Sequence, residues 1–239
     1  MQSQFDLNHY QYQGENISGT DLLGLEKSFK KMARFYAYIF KPFLNKNKTI
    51  KIVDLPCGHG NILYFLQANG YTNYAGYDID EGRISVAKRL NLNAQIADGI
   101  DVIKNEKNVD VIFCLDFMEH LQKEKAFEFA SSCYEALSPK GIFIMRMPVT
   151  DSIRGTQDLF NDITHQWSAN SQVIKSVLLQ HGFGKVDIVD ERPVPYKLLN
   201  IIRLFLFTIL KNCVNLFYLL LGFQKINVWS TSCFFICHK

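Results

Sequence analysis

The sequence predicts an α/β fold: a doubly wound sheet of seven strands, with an N-terminal cap helix and a hydrophobic helical insertion before the last strand. Three observations predict it. Residues 50–55 form an apolar strand pattern that ends in Asp54 and a glycine-containing turn, Cys57-Gly58-His59-Gly60. Helical periodicity opens directly behind that turn (Asn61, Ile62, Leu63, Phe65, Leu66). A second strand pattern at 73–77 then ends in Asp78, eighteen positions after Gly60. Beyond it, short apolar runs alternate with helix patterns, the signature of a sheet with helices on both faces.

Each further element has its own reason. Residues 21–44 carry apolar groups at helical spacing and predict a cap helix behind a loose arm at 1–20. A helix over 81–90 follows the second strand, and a short third strand (Ala94 to Ala97) ends in Asp98-Gly99. Asp110 to Leu115 is a continuous apolar run, as expected of a buried parallel strand. Good helix formers run from about 122 to 137. A Pro/Gly turn and the fifth strand occupy 137–149, and 150–169 lack periodicity and predict a loop. A helix at 170–181 stops at Gly182, the sixth strand is Lys185 to Val189, and the last is Trp229 to Cys237.

Bulk properties narrow the class. With 26 Lys+Arg against 23 Asp+Glu the net charge is +3, too mild to argue for nucleic acid. No basic patch interleaved with aromatics is present, so no nucleic-acid partner is expected. Six cysteines without a C-x-x-C pattern predict reduced thiols. The polar N-terminus has no apolar signal core, which predicts a cytoplasmic protein.

Strand, glycine turn, helix, strand and acid together predict a nucleotide site. The glycines let a ligand approach the backbone, and the acid takes ribose hydroxyls. A dinucleotide turn needs a third glycine where this chain has Leu63. The wording D-x-x-C-G-x-G (Asp54 to Gly60) instead resembles the first motif of class I S-adenosylmethionine (SAM)-dependent methyltransferases, with Pro56 in place of the family's first glycine. That resemblance covers about 50–190 plus the final strand. It implies a Rossmann-like methyltransferase sheet whose last strand slots antiparallel between strands five and six. The implied division is an arm and cap helix at 1–49, a SAM-binding domain at 50–190, an insertion at 191–228 and a final strand at 229–239.

The resemblance also implies roles. Asp54 would stand near the amino group of the methionine moiety, Gly58 and Gly60 would admit the ligand to the backbone, and Asp78 would hold the ribose. Asp98 would meet the adenine amino group, with Cys57, Ile79, Gly99 and Leu115 in the same crevice. Arg34 of the cap helix is a candidate for the cofactor carboxylate, or else part of a solvated face beside Lys30 and Lys31. The competing account of each aspartate is helix capping.

LDFMEHL (115–121) follows the fourth strand. Asp116, Glu119 and His120 share a side if the segment has entered a helical turn. The acid-x-x-Glu-His pattern resembles metal-assisted methyltransferases of the ubiquinone pathway and of small RNAs. LFNDITHQWS (159–168) resembles a loop in methyltransferases of bacterial O-antigen and other surface-glycan gene clusters, and would bring His165 to face His120. Two chemistries are open. Catalytic His120 or His165, with Glu119, would remove a proton from an acceptor hydroxyl. Alternatively, Asp116, Glu119, His120 and His165 would hold a divalent cation that polarises it. Capping and loop packing are the bland alternative.

Residues 196–223 are too apolar for a surface loop, yet Lys197, Arg203 and Lys211 interrupt them. A polar side (Lys197, Asn200, Arg203, Lys211, Asn212, Asn215) opposes an apolar one (Leu199, Ile202, Leu206, Ile209, Leu220). This predicts a helix or helical hairpin lying in a membrane interface, against a dimer surface or lid. The expected enzyme is a SAM-dependent O-methyltransferase, peripheral on the inner face of a bacterial membrane. Its acceptor would be a hydroxyl of a surface polysaccharide or lipid-linked glycan. The rivals are a quinone or phenol acceptor and a catalytically silent membrane adaptor of the same fold.

Overall fold

The structure, a computed structural model, describes residues 22–44 and 46–239. The arm expected at 1–20 lies outside them. Helix α1 (Leu22–Phe40) is followed by β1 (Ile52–Asp54), α2 (Asn61–Ala68), β2 (Tyr74–Asp78), α3 (Glu81–Arg89), β3 (Ala94–Ile96) and α4 (Gly99–Asn105). Then come β4 (Val109–Leu115), a 3-10 turn (Met118–His120), α5 (Lys123–Ala136), β5 (Leu137–Pro148), α6 (Gly155–Phe160), α7 (Ser171–Gln180), β6 (Lys185–Asp190), α8 (Leu198–Leu220) and β7 (Ser232–His238).

The sheet order is β3-β2-β1-β4-β5-β7-β6. Strands β1 to β5 pair in parallel, and β7 inserts antiparallel between β5 and β6, as expected. The order reverses beside β1, and in such sheets ligands bind at the carboxyl ends of the strands flanking that point. Those ends here are Asp54, Asp78 and Leu115.

Helix α1 closes the crevice from above because its buried side is aromatic. Phe29, Ala33, Tyr36 and Phe40 recur at helical spacing and are buried. Phe40 meets Phe113 of β4 at 5.3 Å and Phe234 of β7 at 5.2 Å, edge-on to the latter. Burial of one such ring contributes ~1.5–3 kcal/mol. The helix stops four residues short of its expected end because Pro42 has no N–H to donate and disfavours helical backbone before it.

Three local features depart from the sequence expectation. Helix α4, capped by Asp98, falls in a stretch where the sequence predicts no element; its seven residues, about two turns, are too few to show a period. Likewise α6 sits inside the expected loop. The Pro/Gly turn before strand five is an irregular start to β5, where pairing with β4 shifts register and Lys140 takes φ +69°. Of the two forms expected for the insertion, a helix or a helical hairpin, the structure has the single helix.

Candidate active site

The crevice is built from two cavities that share Pro56 and Asp78. One, of about 190 Å³, is lined by Tyr36, Asp54, Cys57, Gly58, His59 and Leu115 among others. The second, of about 210 Å³, is lined by Ile79, Asp98, Gly99, Phe117, His120 and Gln166 among others. Eight of the ten sequence-predicted cofactor residues therefore line one continuous space.

The glycine turn is held by the acid it was expected to accompany. Asp78 Oδ2 accepts from the Gly58 N–H at 2.9 Å and Oδ1 accepts from the Asp80 N–H at 2.9 Å. Each oxygen keeps lone-pair capacity for a hydroxyl. Gly58 has φ +52° and open space where a side chain would stand, so a ligand can reach its backbone. Gly60 does a different job. At φ +90° it precedes α2, and a Cβ there would lie 2.6 Å from Leu92 Cδ1. Its bareness therefore lets α2 pack beside Ala87 of α3 and Leu92.

Asp54 and Asp78 are both buried. Burial, then the charge of Asp78, pushes the Asp54 carboxyl well above its usual range. Burial is also the main cause of the upward shift of Asp78. Two buried carboxylates side by side favour a cationic ligand, and SAM carries both an ammonium and a sulfonium. His59 Nε2, also buried against this cavity, has no hydrogen-bond partner among the described residues. The donor set fits SAM. Asp98 lines the crevice and also caps α4, accepting from the Ile100 N–H at 2.8 Å.

Two expectations are corrected. Arg34 is not in the crevice; it is exposed on the side of α1 that faces residues 191–200. Helical geometry turns it there, because Tyr36 and Phe40 already occupy the side toward the sheet. Asp116 lies near Glu119 and His120 but does not join their converging ligand atoms. It takes φ +54° before the turn begins, and its carboxylate forms an ion pair with Arg146. Arg146 in turn binds Glu191. A lone arginine in the apolar run IFIMRMPV was the available signal for this partner, and the sequence reading passed over it.

Glu119, His120 and His165 do converge. One ligand atom from each lies within 4.8 Å of the others, the only such group of His, Cys, Asp or Glu found among the described residues. The ring centroids of the two histidines are 4.7 Å apart. The loop is stitched to the 3-10 turn by backbone-directed bonds. Gln166 N–H donates to Glu119 O at 2.8 Å, Gln166 Nε2 to His120 O at 2.9 Å, and Trp167 Nε1 to Met118 O at 3.0 Å.

Hydrogen-bond counting fixes the histidine tautomers. Thr164 Oγ1 donates its one proton to Asp162 Oδ1 at 2.6 Å, so in its 2.8 Å bond with His120 Nδ1 it accepts. His165 Nδ1 donates to Leu159 O at 3.0 Å. In the neutral form of each ring the lone pair is thus on Nε2. Burial, then His165, pushes His120 down to about 4, so it is neutral across the physiological range. Burial, then Asp116, pushes Glu119 up to about 8. Glu119 Oε2 is buried without a hydrogen-bond partner among the described residues. Two imidazole lone pairs and an unsatisfied carboxylate oxygen fit a divalent cation.

Comparison with known proteins agrees with this architecture. A family model described as "Methyltransferase domain" matches residues 25–187. A SAM-dependent methyltransferase from Archaeoglobus fulgidus superposes with a TM-score of 0.65 at 22% identity, covering 91% of this chain and 99% of that one. Magnesium protoporphyrin IX methyltransferase from Synechocystis PCC 6803, solved with bound SAH, superposes with a TM-score of 0.53 at 14% identity over 91% and 84% of the two chains. Ubiquinone biosynthesis O-methyltransferases from two strains of Rickettsia bellii are 29% identical over 111 residues, 44% of this chain and 45% of theirs. The match spans less than half the length of those relatives. The chain belongs to the methyltransferase-domain family, and its fold and cofactor class are those of class I SAM-dependent methyltransferases.

Proposed function

We propose that this chain is an O-methyltransferase that works at the inner face of a bacterial membrane on a hydroxyl of a surface polysaccharide or lipid-linked saccharide. The convergence of Glu119, His120 and His165 at the carboxyl end of β4, beside the SAM crevice, carries the reading. SAM supplies an electrophilic methyl group when bound. A hydroxyl is a poor nucleophile at neutral pH, and His120 or His165 Nε2 is placed to take its proton as the methyl transfers. Thr164 and Asp162 orient His120 and stabilise its charged form. A divalent cation at Glu119, His120 and His165 would instead polarise the hydroxyl.

A quinone or phenol acceptor is the second reading. It is favoured by the Rickettsia bellii relatives and by Phe160 and Ile163, exposed at 81% and 76% on the loop that carries His165. Incubating radiolabelled SAM with membrane, lipid-linked glycan and quinone fractions distinguishes the two. Label in glycan supports the first reading; label confined to quinones overturns it.

Helix α8 supports membrane attachment in a form the sequence did not show. It is long and apolar enough to cross a bilayer, and none of its most apolar stretch is buried; its contacts are with the segments that flank it. Asn200 donates to Val194 O, Asn215 binds both Ile226 N and O, and Phe207 meets Trp229 edge-on. Polar Asn200, Lys211 and Asn215 are therefore at least partly covered, while Arg203 and Asn212 are exposed together with Leu199, Ile202, Leu206, Ile209 and Phe217. This reverses the pattern of a helix facing water and suits one lying in the plane of a bilayer. Wild type should sediment with anionic liposomes, less so at high salt, and a form with 196–223 replaced by a Gly/Ser loop should stay in solution. Equal sedimentation of both would remove the membrane from the account.

A further inference from the structure

Apart from the SAM crevice, the described residues enclose a groove of about 690 Å³ between α1 and the segment that leads into α8. Lys27, Lys30, Lys31 and Arg34 form one wall, at the i, i+3, i+4, i+7 spacing that puts four side chains on one helical stripe. Arg192 and Lys197 stand on the other wall. Lys30 is paired with Glu26 and Arg192 lies 3.6 Å from Asp190, but no ion pair involves Lys27, Lys31, Arg34 or Lys197 among the described residues. The one acid lining the groove, Glu191, is neutralised by Arg146.

Two features beside these cations point to the shape of the ligand. Helix α8 starts in the groove at Lys197, and no side chain caps it, so its first N–H groups add positive potential there. Its apolar side begins at once: Leu198 and Leu199 are 74% and 57% exposed. A cationic hollow that opens directly onto exposed aliphatic side chains is complementary to an amphiphile with an anionic head. Four unpaired cations exceed what a phosphodiester with one charge needs and match a head with two or more.

We propose that this groove binds the diphosphate head of a membrane-embedded amphiphile, the carrier end of the acceptor substrate. The inference rests on the membrane reading above and deepens it. It assigns to Arg34 and Lys31 a phosphate-binding role in a groove that shares no lining residue with the crevice. Arg34 offers a planar fork for paired phosphate oxygens, and Lys31 offers a point charge one turn away.

The test uses full-length protein and vesicles of phosphatidylcholine doped, at equal surface charge, with either phosphatidylglycerol or a prenyl diphosphate. Wild type should bind the diphosphate vesicles at least tenfold more tightly. The exposed double variant Lys31→Gln/Arg34→Gln should lose that preference by about tenfold while binding phosphatidylglycerol vesicles nearly as wild type does, since α8 is intact. Equal wild-type affinity for the two vesicle types, or a preference unchanged in the variant, would overturn the proposal. If wild type binds no vesicle, the membrane reading fails, and titration with inorganic pyrophosphate decides the groove separately. Pyrophosphate binding that the double variant weakens tenfold retains an anion site there, and no such binding overturns it. A single-stranded RNA oligonucleotide that displaces the diphosphate vesicles more effectively than pyrophosphate would also overturn the assignment.

Discussion

The two halves of the crevice are built by different means. On the cofactor side, Asp54 and Asp78 sit at the ends of adjacent parallel strands, and the Gly58 turn is fixed by Asp78 itself. On the acceptor side, Glu119 and His120 lie on a three-residue 3-10 turn, and His165 arrives from a loop forty-five positions later. That loop is held by hydrogen bonds from Gln166 and Trp167 to the turn's own carbonyls. Sheet geometry determines the first half. Side-chain to backbone bonds determine the second, so it can vary without disturbing the fold.

If this division is right, variants on the acceptor side change turnover and leave SAM affinity alone. The largest effect is expected for His120→Ala and His165→Ala, with kcat lowered roughly 10²–10⁴-fold for whichever histidine takes the proton. Steady-state kinetics with a methylated-product readout would show it. Normal turnover in both variants would leave only loop packing for these residues. Thr164→Val removes the acceptor that holds the His120 tautomer, and a loss of about tenfold is expected, by analogy with other groups that orient a ligating or catalytic imidazole.

pH sharpens the choice between a bare base and a cation. Glu119 is protonated below about 8, so a cation there must displace that proton. Metal affinity by calorimetry should then rise about tenfold per pH unit up to about pH 8 and flatten above it. His120, near 4, needs no deprotonation in that window. If chelator leaves activity intact and the pH profile is flat from 6 to 9, the imidazoles act without metal. The same shifts affect the fold. Glu119 contributes a loss of stability as pH rises from the ordinary Glu range toward 8, and His120 a loss as pH drops from the ordinary His range toward 4; where the windows overlap the two oppose, so the net fall is expected as pH rises from the ordinary His range toward 8.

Legibility in the sequence follows the same division. Strand ends β1 and β2, the Gly58 turn and the crevice acids were readable because a parallel strand and a tight turn each impose a local pattern. The antiparallel last strand came only with the family resemblance. Asp116 was misplaced because spacing assumed a helical turn, whereas the backbone takes a left-handed step at that residue before a much shorter one. The packing need at Gly60 was not readable, since only the fold brings Leu92 against it. The composition of α8 was plain, yet its orientation was not: partners such as Ile226 and Trp229 lie beyond the helix, and a helical wheel holds no information about them.

Calorimetric titration of SAM into two variants tests the central claim most directly. Asp78→Asn removes a charged acceptor from the ribose position, where such hydrogen bonds contribute ~1.5–3 kcal/mol, and affinity should fall roughly ten- to a hundredfold. The His120→Ala/His165→Ala double variant should bind SAM as wild type does while turning over no acceptor. Unchanged affinity in a folded Asp78→Asn protein, with affinity lost in the double variant, would contradict this assignment of cofactor and acceptor to the two halves of the crevice.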